Sequence, residues 1–177
     1  MRCIFCNSEN NTSTDTIFCS KCGKVIALKG ENFFDLFQLP ISFEVNLNSL
    51  NSKLLQLLSQ LHPDKFITAS MQEKEISMKN TSLKNRAFRV LKDPILRAEH
   101  ILKLNGCDTE NQKINDSGFL MEAMEWRENN VSTNEINQIW ESTLNELKEK
   151  LHNNKFDEAL QIFLKLKFIK RFIDESE

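Results

Sequence analysis

Glycine and proline are scarce, four and three residues in a chain of 177. So few chain breakers argue against a fold of many tight turns and for helices joined by short connections. Val, Ile and Thr nowhere alternate with polar residues over a convincing length, so extended structure is expected only as short pieces near the N-terminus. No apolar run reaches the roughly eighteen residues a membrane-spanning helix needs, and none is expected. The N-terminus shows neither an apolar signal stretch nor an Arg- and Ser-rich amphipathic presequence. An excess of one charge is missing too. Lys and Arg total 23 against 25 Asp and Glu, net −2, which gives no general pull towards nucleic acid or anionic membranes. There is no phosphate-cradling glycine loop and no nucleophile–base pairing, so no enzyme activity is expected. What remains is 40% hydrophobic and 27% charged, a composition that supports packed cores rather than disorder.

Cysteine is present in a pattern. Cys3-x-x-Cys6 and Cys19-x-x-Cys22 form two pairs, with Cys107 apart from them. Two-residue spacing lets two thiolates turn towards one ion, and a second such knuckle completes a tetrahedron. Gly23 supplies a backbone free to take positive φ just after Cys22. Ile4, Phe5, Ile17 and Phe18 are expected to cover one side of the site, with short strands between the turns. Two disulfides would need an oxidising compartment, which nothing signals. A redox dithiol would explain only one pair. The expectation is one structural Zn2+ held by Cys3, Cys6, Cys19 and Cys22, with no open position for catalysis.

Beyond Gly30, Phe33, Phe34, Leu36, Phe37 and Leu39 make a dense apolar patch closed by Pro40. Leu50, Leu54, Leu57, Leu58 and Leu61 then recur at helical steps, with Asn46 or Asn48 as N-cap. Ile76, Leu83, Ala87 and Val90 do the same over a helix predicted from Met71 to Lys92. Between the two lies Leu61-His62-Pro63-Asp64-Lys65-Phe66. Pro63 disfavours helical geometry at His62, so the first helix should stop there, leaving His62, Pro63 and Asp64 on an exposed tip. The next helix is expected from Pro94 to about Leu104, stopped by Asn105-Gly106.

Three further helical patterns follow a polar linker. They cover Phe119–Glu128 with Asp116 or Ser117 as cap, about Thr133–His152 behind a Ser132/Glu135 capping box, and about Phe156–Asp174. Together they predict an antiparallel three-helix bundle. In the first, Leu120, Met121, Met124 and Trp126 spread over more than half the circumference. Either the helix is central in the bundle or it exposes a methionine-bearing face suited to protein recognition.

His62-Pro63-Asp64, with Asn85-Arg86-Ala87-Phe88-Arg89-Val90-Leu91-Lys92-Asp93-Pro94 downstream and Phe33–Pro40 upstream, resembles a J domain over roughly residues 32–105. With the Phe119–Glu128 and Leu164–Phe168 stretches, most of the chain resembles the HscB family of J-protein co-chaperones, in the eukaryotic form with zinc knuckles. The resemblance implies a metal module over 1–30, a J domain over 31–106 and a scaffold-binding domain over 107–177. It implies that His62, Pro63, Asp64, Lys65 and Lys53 meet a DnaK-type chaperone and trigger its ATP hydrolysis. It implies that Leu120, Met121, Met124, Glu125, Glu128 and Phe168 bind an IscU-type iron–sulfur scaffold, while an acidic residue usual in that surface falls at Ser132 here. A mitochondrion or an organelle derived from one is the implied compartment, with the cytosol open because no presequence is evident. A homodimer contact through the metal module also stays open.

One departure from the family concerns charge. Only Lys53 is basic on the helix before the tip, where Leu55 and Ser59 stand at positions the family fills with basic residues. A slower encounter with the chaperone is expected, or a partner with a matching surface. Leu55 is alternatively assigned to the core. Two other readings remain: a general J-protein for unfolded clients, and a zinc-ribbon nucleic-acid protein. Against the latter, only Arg2, Lys21, Lys24 and Lys29 are basic before Gly30.

Overall fold

The structure, a computed structural model, describes residues 2–10, 17–129 and 131–176. Among these, seven α-helices account for nearly all regular structure: α1 Phe33–Leu36, α2 Leu47–Gln60, α3 Met71–Lys92, α4 Pro94–Leu104, α5 Ser117–Glu128, α6 Thr133–His152 and α7 Phe156–Ser176. The chain divides into two compact units, Met1–Asp93 and Pro94–Glu177. Among the described residues no helix is long and apolar enough to cross a membrane.

In the first unit, α1 and α2 pack on α3. Local chemistry sets the helix starts. Asn32 and Asp35 form a capping box for α1, Asn46 accepts the Ser49 N–H at the head of α2, and Ser70 with Glu73 boxes α3. Phe34, Leu36 and Phe37 are buried together with Leu50, Leu54 and Leu57 of α2. The buried face of α3 differs from the expected apolar stripe. Ile76, Leu83 and Val90 are only half-buried, whereas Ser77, Asn80, Lys84, Ala87 and Leu91 are buried. Each polar member bonds to backbone: Ser77 Oγ donates to Leu61 O (3.4 Å), Asn80 to Ile26 O, and Lys84 Nζ to Leu36 O. The expected short strands reduce, among the described residues, to the isolated bridges Arg2–Glu9 and Phe18–Val25.

In the second unit, α6 and α7 form a helical hairpin across Asn153–Lys155, and α4 packs on α7. The units therefore part at Asp93 and Pro94, whereas the expected J domain ran on through α4. Gly106 (φ 79°) ends α4 by donating to Lys103 O. Phe119, Ala123 and Trp126 of α5 face the core with Ile136 of α6 and Ile169 of α7. Edge-on ring contacts run from Phe168 to Phe119 (5.9 Å), from Phe119 to Trp126 (5.7 Å) and from Trp126 to Phe172 (5.6 Å).

Candidate functional site

Three sets of residues carry the functional reading: a thiol cluster, a hairpin tip and a helix face.

The thiol cluster rests on two near-identical turns. Cys3 N–H donates to Ser8 O and Asn7 N–H to Cys3 O. The second turn repeats this with Cys19 to Lys24 and Gly23 to Cys19. The residue after each pair takes positive φ, Asn7 at 56° and Gly23 at 70°. The Asn7 counterpart was legible, since asparagine tolerates that conformation better than most residues. The four sulfurs lie within 4.8 Å of one another, with Cys3–Cys22 and Cys6–Cys19 each 3.7 Å apart. A disulfide needs about 2.05 Å, whereas four thiolates at about 2.3 Å from one ion are separated by about 3.8 Å. These residues therefore fit a tetrahedral metal ion. The Ser8 hydroxyl, 3.2 Å from Cys19, and the Cys22 backbone hold the Cys19 thiol down to about 5. Ile17 is buried and Phe5 packs against the cluster as expected, but Ile4 and Phe18 stay exposed, and Ile26 covers the sulfurs instead.

The tip is a single 3-10 turn over Pro63–Phe66, between α2 and α3. His62 takes extended geometry (φ −57°, ψ 133°), as a residue before proline must. Its Nδ1 accepts the Asp64 N–H at 3.3 Å and lies 3.4 Å from the Asp64 carboxylate. The His62 and Asp64 side chains are 59% and 79% exposed. Leu61 and Phe66, buried on either side, anchor the turn. The backbone of Pro63 is described; its side chain lies outside the described residues. Lys65 is exposed beside the triplet. Lys53 is not brought to it. It sits about two turns back along α2, and its Nζ donates to Phe37 O at 2.7 Å. Leu55 is 58% exposed, so the core assignment does not hold and the outer face of α2 is largely neutral. A groove of about 990 Å³ opens beside the tip, lined by Leu58, Leu61, His62, Phe66, Ile67 and Met78. Sequence reasoning missed it; the signal was Ile67 and Met78 lying off the apolar stripes.

The helix face resolves the two readings of α5. Trp126 turns inward with Phe119 and Ala123, while Met121 (66% exposed) and Met124 (67%) stay outside with Leu120, Glu125 and Glu128. Phe168 of α7 is half-buried against Phe119, next to that face. The Asp116 carboxylate accepts from the Phe119 N–H (3.0 Å) and from Lys165 (2.6 Å), fixing α5 against α7. The Lys165 ammonium, then that N–H, holds the Asp116 carboxyl below its ordinary value.

No protein-family model matches the chain. It is 36% identical over 162 residues to a Co-chaperone protein HscB homolog of Pasteurella multocida, covering 82% of this chain and 94% of that relative. A second HscB homolog, from Shewanella amazonensis, is 50% identical over 99 residues, but that match spans only 57% of the relative. Among solved structures, human co-chaperone protein HscB superposes with a TM-score of 0.89 at 26% identity, over 99% of this chain and 96% of that one. The chaperone HscB from Vibrio cholerae gives 0.71 at 33% identity, over 81% and 94%.

Proposed function

The chain belongs to the HscB family of co-chaperones, and from that premise we propose that it couples an iron–sulfur scaffold protein to a DnaK-type chaperone. His62, Pro63 and Asp64 dock on the chaperone's ATPase domain and stimulate hydrolysis, with Lys65 at the rim of the contact. The groove at His62 lets a partner that meets the polar triplet also bury apolar surface. Leu120, Met121, Met124, Glu125 and Glu128 hold an IscU-type scaffold, with Phe168 supporting the face from beneath through Phe119. Adaptable methionines between carboxylates suit a protein partner.

The observation that supports this reading is an exposed polar tip in one compact unit and an exposed methionine face in the other. One chain bound to both partners raises the scaffold's effective concentration at the chaperone. Hydrolysis then changes the chaperone's affinity for the scaffold, which lets ATP drive cluster transfer. Cys3, Cys6, Cys19 and Cys22 hold one zinc ion, which supplies folding energy to a segment too small to build its own core.

The test uses purified components. The chain added to a DnaK-type chaperone should raise its ATP turnover, and adding an IscU-type scaffold should raise it further. No rise with the chain alone overturns the proposal. A rise that the scaffold leaves unchanged overturns its second half.

A further inference from the structure

One residue stands in both the thiol cluster and the hairpin. The Ile26 side chain packs on Cys3 and Cys19, and its carbonyl accepts the Asn80 amide at 2.9 Å. Two residues on, the Leu28 N–H donates to Asn80 Oδ1 at 2.9 Å. Asn80 is 3% exposed in the middle of α3, so both bonds are made away from water. It thus serves the extended segment as a neighbouring strand would, offering one donor and one acceptor. Two turns earlier on α3, Glu73 accepts from Lys24 at 3.3 Å, and Lys24 lies over the Phe5 ring at 4.6 Å. One turn before Asn80, Ser77 bonds to Leu61 O, the residue that precedes the triplet.

We propose that Asn80 is a positioning residue that ties metal occupancy of the tetracysteine module to the rigidity of the α2–α3 hairpin carrying the tip. The proposal rests on the metal reading above. The bound ion holds the knuckles together, the knuckles hold Ile26, and Ile26 with Leu28 covers the polar middle of α3. Loss of the ion removes the centre about which the knuckles order. The segment from Ile26 to Leu28 then leaves Asn80, water reaches the buried face of α3, and the Ser77–Leu61 bond loses its shelter. By linkage the effect runs both ways: whatever the ion contributes to the hairpin, the hairpin returns to metal affinity. Two buried hydrogen bonds of ordinary strength correspond to about tenfold or more in an equilibrium constant.

The test is hydrogen exchange read by mass spectrometry on the full chain, zinc-loaded and stripped by a chelator, with zinc content measured in every sample. Stripping should speed exchange across residues 47–92 about tenfold and leave residues 94–176 unchanged. Asn80→Ala should show the faster exchange while loaded, and should bind zinc about tenfold more weakly in competition with a chromophoric chelator. Asn80→Asp keeps the acceptor for Leu28 but sets a carboxylate oxygen against the Ile26 carbonyl in a buried site, so it should exchange at least as fast as Asn80→Ala and hold zinc no more tightly. If neither variant folds, the wild-type arm, loaded against stripped, decides. Zinc bound and released with unchanged exchange over 47–92 overturns the coupling alone. So does wild-type zinc affinity in Asn80→Ala. A chain that takes up no zinc overturns the coupling together with the metal reading.

Discussion

The hairpin tip and the α5 face are both exposed surfaces, but they are held in place by opposite means. Behind the tip, the buried side of α3 is polar over about two turns, and Ser77, Asn80 and Lys84 bond to backbone of the α2 C-cap, the thiol module and α1. Behind the α5 face lies a run of rings, Phe168, Phe119, Trp126 and Phe172. Apolar packing is strong and tolerant of small shifts, whereas buried hydrogen bonds are directional and fix register. Under the proposed function, directional bonds back the triplet that docks in one geometry, and rings back the methionine face that adapts to its partner.

Three substitutions or conditions probe that contrast, in order of size. Trp126→Ala empties the aromatic run and should cost the second unit about 3–5 kcal/mol, seen as a lowered denaturant midpoint for α4–α7. A loss under about 1 kcal/mol would show that the rings do not dominate that core. Lys84→Ala leaves Leu36 O without its ammonium donor in a buried site and removes the cation from the Phe37 ring. The expected cost is about 1–3 kcal/mol in the first unit. An unchanged midpoint would mean that the polar face of α3 is decoration rather than support.

Acid is the mildest probe. The Lys165 ammonium holds the Asp116 carboxyl below its ordinary value of 3.8. The Ser132 hydroxyl and N–H hold Glu135 below 4.5. A carboxyl whose folded value is lowered contributes stability that is complete above its unfolded value and is lost as pH falls through the folded one. The heads of α5 and α6 should therefore loosen as pH drops below about 4.5, read as faster exchange at Phe119 and Glu135. Exchange there that slows in acid, once corrected for intrinsic rates, would contradict the sign.

Much of this was legible in the sequence because it rests on local chemistry. The ranges of α3, α4 and α6 follow from caps and breakers, such as Ser70 with Glu73, Pro94 with Gly106, and Ser132 with Glu135. The thiol pairs follow from their spacing, and the extended geometry at His62 from Pro63. The misses are long-range. Periodicity assigns α3 to the Ile76–Val90 stripe because it scores side chains by hydropathy, and it cannot see that Asn80 finds its partners 52 and 54 residues away. At Leu55 the outward reading holds, as its place off the Leu50–Leu61 stripe marked, and the alternative that put it in the core does not. On α5 the ambiguity between a central helix and an exposed methionine face was genuine. It was settled by which of Trp126 and the methionines the neighbouring helices cover.

The most direct measurement compares two variants in one assay, reading ATP turnover by a DnaK-type chaperone and, in parallel, the affinity of the chain for an IscU-type scaffold. His62→Gln should lose stimulation and bind the scaffold as wild type does. The triple variant Leu120→Ser, Met121→Ser, Met124→Ser should lose scaffold binding and keep stimulation by the chain alone. If a folded tip variant also loses the scaffold, or a folded face variant also loses stimulation, the two surfaces are not separate and the adaptor reading is wrong.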